Sequence, residues 1–212
     1  MPQLLLLIAV IILTALLWRN LARQRRQRYI AGYPYQRLLD ARLAARRPEL
    51  SEVQRREVFA GLRDYFLCCL QARRRMVAMP SQAVDDAWHE FILFTRQYDT
   101  FCGHAFGRFL HHTPAEAMTT PTQASEGIRR AWRLACAHEG IDPRAPSRLP
   151  RLFALDAALG IAGGFIYQLD CLAQQGATGS GFCASHIGCS SGCAGDAGDG
   201  DSGGDGGGCG GD

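Results

Sequence analysis

Residues 81–112 read SQAVDDAWHEFILFTRQYDTFCGHAFGRFLHH, and their periodicity decides the fold. Val84, Trp88, Phe91, Thr95, Tyr98 and Cys102 recur at three- and four-residue steps, which draws one apolar stripe along an α-helix. Ser81 stands where it can cap that helix, and Asp85 and Asp86 lie in or near the first turns, where the helix dipole favours negative charge. The spacing predicts one long helix reaching Cys102. Gly103 and Gly107 weaken further helix, so residues 107–112 are expected as a turn and an extended stretch.

The flanking segments repeat the pattern. Phe59, Leu62, Phe66, Cys69, Leu70 and Val77 predict a helix over residues 51–79, with Ser51 as N-cap and Pro80 as stop. Ile128, Ala131, Trp132, Ala135 and Cys136 predict another, from Thr122 or Ser125 to His138, stopped by Gly140 and Pro143. Leu38, Leu39 and Leu43 suggest a short helix before Pro48. Residues 149–173, LPRLFALDAALGIAGGFIYQLDCLA, are interrupted by Asp156, Asp170 and Gly163-Gly164. They are expected as a short helix and a packed irregular segment, with room for a small hairpin near Gly164. No alternating run demands a sheet, so the predicted class is all-α.

Residues 4–18, LLLLIAVIILTALLW, carry no charge. At about 1.5 Å per residue, a helix of this length just reaches across a hydrocarbon core of about 30 Å, with Trp18 at the interface. Only the α-amino group precedes the run and Trp-Arg-Asn follows it, which argues for a retained transmembrane anchor over a cleaved signal. A buried or interfacial helix is the alternative. Arg19, Arg23, Arg25, Arg26 and Arg28 follow, and the positive-inside bias then places the soluble domain in the cytoplasm, on a single-pass protein of the bacterial inner membrane. Beside an anchor these arginines suit anionic lipid headgroups better than nucleic acid. The expected organisation is an anchor at 3–18, a basic juxtamembrane connector at 19–48, a helical domain at 49–175 and a disordered Gly/Cys/Asp-rich tail at 176–212.

The 212 residues, 47% of them hydrophobic, suit one core with appendages. All 23 basic residues are arginine, and five of the 20 acidic residues lie after Gly176, so residues 1–175 carry 23 − 15 = +8 and the tail −5. Nine cysteines in a reducing cytoplasm are left for packing, metal binding or redox chemistry.

Four of the six histidines fall in residues 81–112. On an ideal helix Asp85, His89 and Arg96 lie within about 40° of one line, off the apolar stripe. A carboxylate one turn before a histidine can orient its ring. If the stretch after Gly107 doubles back, His111 or His112 approaches His89. His89, His111 and His112 are therefore candidate zinc ligands, with Asp85 and Trp88 supporting them. The bland alternative is a Trp-His pair that fixes the fold, with His111 and His112 bonded to backbone. An H-E-x-x-H site is excluded because Leu93 stands where the second histidine is required. The body has no phosphate loop and no G-x-S-x-G elbow, and Cys102 with His104 is a further nucleophile and base candidate. In the tail, Cys183, Cys189, Cys193 and Cys209, with His186, offer soft-metal ligands. Their spacing fits no compact zinc pattern, so incidental thiols are the alternative. The Asp-Gly alternation lacks the recurring apolar residue of calcium-binding β-rolls.

Val84-Asp85, Trp88-His89, Tyr98, Gly107-Arg108-Phe109-Leu110 and His112 form a spaced set that resembles the glycine-rich domain-containing protein family, as a bacterial member of it. The likeness covers residues 50–115 and extends in outline to the Gly-rich tail. Phe91 departs from it, since many eukaryotic members carry a second histidine shortly after the Trp-His pair. The extra segments through which eukaryotic members are linked to RNA binding are absent. The resemblance implies a domain and no reaction. Three functional readings follow: a membrane-anchored binding or scaffolding module with an unidentified protein partner and no turnover; a zinc-dependent, hydrolase-like enzyme using His89 and His112; and a Cys/Gly tail that binds metal or is modified.

Overall fold

The structure, a computed structural model, describes residues 2–112, 121–169, 182–183 and 187. It is all-α: α1 (Pro2–Gly32), α2 (Tyr35–Arg46), α3 (Glu52–Ala72), α4 (Gln82–Leu93), α5 (Thr95–Phe106), α6 (Pro121–Glu139) and α7 (Arg151–Leu159). One two-residue parallel pairing, β1 (Tyr167–Gln168) with β2 (Phe182–Cys183), follows α7. The tail beyond it, expected to be disordered, lies outside the described residues except Phe182, Cys183 and Ile187.

α3 is the axis of the body, packing against α1, α2, α4, α6 and α7. Ser51 and Gln54 close a capping box at its start, which satisfies two otherwise orphaned backbone donors. From Val58 onward most of its apolar residues are buried, with Ala60 and Leu70 half-buried, each full burial of a large apolar side chain being worth about 1.5–3 kcal/mol. Gly61 lets α4 and α7 close on it together: a Cβ there would sit 2.8 Å from Val84 Cγ2 and 3.2 Å from Leu155 Cδ2. The expected helix to Met79 stops at Ala72 instead. Arg73 turns to φ 60°, and the loop after it brings the Val77 carbonyl to the Tyr65 hydroxyl at 2.9 Å, a bond that a continued helix would forgo.

The expected long helix over 81–102 is broken at Phe94, whose φ −82°, ψ 61° ends α4 and starts α5. α4 packs against α2, α3 and α7, whereas α5 packs against α1, and one straight helix cannot follow both. Thr95, expected in the apolar stripe, is exposed as a result. α2 is also more than a connector. Tyr35, Leu39 and Leu43 are buried, and its end binds α4 through Arg46 Nε to Asp86 Oδ1 at 2.8 Å, Arg47 to Asp86 Oδ2 at 2.6 Å and Arg42 Nε to Glu90 Oε2 at 2.5 Å.

α1 is two things in one helix. Its apolar run stands clear of the body with mean hydropathy 2.3, long and apolar enough to cross a membrane. Its last turns pack on α5 and α3, with Ile30 in the core.

The start of α4 is fixed from seventy residues away. The buried Asp156 carboxylate on α7 accepts from Ser81 Oγ at 2.6 Å, Gln82 N at 2.6 Å, Ala83 N at 3.2 Å and Phe165 N at 2.9 Å. Replacing Asp156 with alanine strands these donors, two of them buried, and a hydrogen bond to a charged group contributes about 1.5–3 kcal/mol net of solvent exchange, less where water can replace the partner. A loss of about 3 kcal/mol in unfolding free energy is expected for Asp156→Ala, read by denaturant titration of the helical signal in detergent.

Candidate metal centre

α4 sets Asp85 and His89 one turn apart on one line of the helix, beside the Asp86 and Glu90 line that meets the arginines of α2. Ser81 Oγ accepts from Val84 N at 3.3 Å, so the first turn is held by its own cap as well as by Asp156. The opposite wall comes from the chain after α5. Gly107 ends that helix at φ 70°, where Arg26 lies so close that a Cβ would meet its Nη2 at 2.5 Å. The strand-like stretch that follows then doubles back. Tyr98 directs it: its hydroxyl accepts from Trp88 Nε1 at 3.0 Å and donates to the Leu110 carbonyl at 2.6 Å. Two residues on, the His112 ring stands edge-on to Trp88 with centroids 4.5 Å apart.

Three donor groups converge there. His112 Nε2 lies 2.8 Å from Asp85 Oδ1, and His89 Nδ1 lies 3.3 Å from Asp85 Oδ2. The two imidazoles are 4.3 Å apart at their centroids. One ligand atom from each of the three residues falls within 4.8 Å of the others. Tetrahedral zinc with bonds of about 2.0–2.1 Å holds its ligand atoms about 3.4 Å apart, so small side-chain rotations bring this set to a metal's geometry. His89 Nδ1 is buried and makes no hydrogen bond, although Asp85 Oδ2 lies 3.3 Å away. Leaving such an atom unpaired costs about 1–3 kcal/mol, and a cation between the rings and the carboxylate would satisfy it. The site is not sealed: side-chain exposure is 12% for His112, 20% for Asp85 and 40% for His89.

The remaining candidates lie elsewhere. His111 is exposed, with its ring 4.9 Å from that of Phe109, and the structure does not bring it to His89. Trp88 contributes its ring face and indole N–H as support. Asp85, expected to orient His89, also offers an oxygen directly to the centre. Cys102 is buried and burial pushes its thiol up, while His104 is exposed and its Nδ1 bonds the Thr100 carbonyl at 2.9 Å, so the two make no nucleophile and base pair. Burial likewise pushes the Cys69 thiol up to about 12 and Cys136 to about 11. Cys189, Cys193, Cys209 and His186 lie outside the described residues, and of Cys183 the backbone pairing alone is described. The sequence does not show Tyr98 as the link between the walls; its one signal there is a tyrosine on a buried stripe, whose hydroxyl must find a partner.

Fold and site together define a class: a long apolar N-terminal helix continuous with a helical body that presents one carboxylate and two imidazoles at a point. The chain belongs to the UCP032817-like family, whose profile matches residues 25–187, the body without the apolar run. Neither the curated proteins nor the solved structures contain a significant match.

Two outcomes are expected. Tyr98→Phe keeps the helical signal but frees the wall that carries His112, and should weaken the hold of Asp85, His89 and His112 on any metal they take up, about tenfold in competition with a chromophoric chelator. In native protein at pH 8, iodoacetamide should spare Cys68, Cys69, Cys102 and Cys136, which are buried, and modify them once the chain is unfolded; peptide mass mapping reads the difference.

Proposed function

We propose that the chain is a membrane-anchored helical module that holds a divalent transition metal, zinc by the chemistry of its donors, at Asp85, His89 and His112. The observation that carries this reading is the convergence of one carboxylate and two imidazoles on one point, with a buried His89 Nδ1 that makes no hydrogen bond among them. Mixed nitrogen and oxygen donors suit zinc, and neutral imidazole suits the neighbouring transition metals. In this reading α1 anchors the chain, the arginines after Trp18 hold the body on the cytoplasmic side of a bacterial inner membrane against anionic headgroups, and an unidentified protein is the partner. The likeness to glycine-rich domain-containing proteins rests on the same motif residues and belongs to this proposal.

A second reading, a hydrolase-like enzyme, is favoured by the exposure of His89. Three protein ligands with a fourth position open to solvent is the pattern of catalytic zinc, which brings the pKa of a bound water to about 7.

Elemental analysis of the full chain in detergent is expected to give about one zinc per chain. His89→Ala and His112→Ala should lose it with the helical signal unchanged, whereas His111→Ala and removal of residues 177–212 should retain it. A well-folded chain that binds no transition metal overturns both readings.

A further inference from the structure

The arginines of this protein sort by partner. Those at the end of α2, at the start of α3 and on α7 pair with carboxylates. Arg73, Arg74 and Arg75 are exposed, and among the described residues neither they nor Arg108 has a carboxylate ion pair. They are nonetheless held together. Arg108 Nη2 donates to the Arg73 carbonyl at 2.6 Å, and Arg130 donates to the Met76 carbonyl, so two guanidiniums clamp the loop that carries three more. The crowding registers on Arg130, whose pKa is lowered by burial and then by the charge of Arg75, with Glu126 opposing and Arg133 adding to the fall. Arg130 has Glu126 at 3.8 Å, but among the described residues no carboxylate pairs with Arg73, Arg74, Arg75 or Arg108, and like charges gathered in this way by fixed contacts point to an anion from outside.

Its location names the anion. Arg26 of α1 donates to the Phe106 carbonyl at 2.9 Å and lies over Gly107, immediately before Arg108. The basic loop is therefore two contacts from the juxtamembrane helix. Arg26 stands eight residues beyond Trp18, about 12 Å along the helix axis. The headgroup layer takes about 5–8 Å of that distance. The remainder is within a Debye length of about 8 Å, so Arg26 and the groups touching it stand inside the surface potential of an anionic bilayer.

We infer that Arg73, Arg74, Arg75 and Arg108 form a second lipid contact, by which the body docks on the anionic headgroups of the membrane that α1 crosses. The inference rests on the reading of α1 as an anchor. Docking would pin residues 107–112, and with them His112, at headgroup level, so the metal centre would work at the bilayer surface.

The loop arginines are themselves trypsin sites, which supplies the test. The full chain is reconstituted into phosphatidylcholine vesicles with or without phosphatidylglycerol, and cleavage after Arg73, Arg74 and Arg75 is timed against cleavage after Arg144, an exposed loop arginine outside the basic cluster. Phosphatidylglycerol is expected to slow the first on the order of tenfold and leave the second unchanged. About 0.5 M NaCl, where the Debye length is about 4 Å, should abolish the protection. Arg74→Glu with Arg75→Glu should abolish protection at Arg73 while cleavage at Arg144 stays the same. Equal cleavage in both vesicles, from a chain that resists carbonate extraction, overturns the docking and leaves the anchor standing. A chain that carbonate extracts overturns the anchor and the docking with it. Two further results would assign the surface to another occupant and overturn the lipid contact: protection in neutral vesicles that disappears with residues 177–212, or equal protection in detergent by inorganic phosphate or a short RNA.

Discussion

The carboxylate of Asp156 is the constraint on which the rest depends. A buried carboxylate is tolerated when its lone pairs are filled, and here four donors fill them, three from the start of α4 and one from Phe165. The α4 dipole adds partial positive charge at the same place. Phe165 can arrive because Gly164 has no side chain: a Cβ there would sit 2.8 Å from Asp156 Cβ. The turn that ends α7 and the cap that begins α4 are thus one structure. Its effect is to fix the axial position of α4 against α3 and α7, and so the height at which Asp85 and His89 appear.

With its start fixed, α4 is oriented by how it spends its other charges. Its acidic side chains lie on two neighbouring lines of the helix, Asp85 with His89 and Asp86 with Glu90, each pair four residues apart. Asp86 and Glu90 turn to the arginines of α2. Arg42 and Arg46 are about half exposed, so solvent screens their pairs; Arg47 with Asp86, at 16% and 3% exposure, is the contact that holds. Asp85 is the acidic residue of α4 left over from this arrangement, and it faces the returning chain. The centre sits where it does because core, cap and salt bridges have claimed every other side of the helix.

The sequence conveyed much of this, unevenly. Helical class and the burial of Phe59, Phe66, Trp132 and Phe91 follow from period alone, because one apolar face per helix is a local property. The pairing of Asp85 with His89 was readable from one turn of spacing. The role of Asp156 was not, since a carboxylate interrupting an apolar run looks the same whether it meets water or a helix N-terminus 74 residues earlier. The end of α3 escaped for a similar reason. Nothing local in residues 73–79 opposes helix; the chain leaves it so that Val77 can meet Tyr65, a contact made in three dimensions.

The break at Phe94 shows how far such a miss can reach. Were α4 and α5 one straight helix, its last residue would lie about 26 Å beyond His89 at 1.5 Å per residue. The six steps from Phe106 to His112, even fully extended, return about 20 Å. The backbone would stop about 6 Å short along the axis, before stepping the roughly 8–10 Å sideways that separates packed elements. A single helix would thus leave His112 reaching for His89 at full stretch. Phe94 relieves that by turning α5 toward α1, which shortens the return until Tyr98 can bond Leu110 and His112 can reach Asp85. Arg42 lies over the Phe94 ring with its Cζ 5.7 Å from the centroid, so the α2 end that holds α4 also covers the bend. The kink is therefore part of the centre, although neither Phe94 nor any neighbour of it offers a ligand.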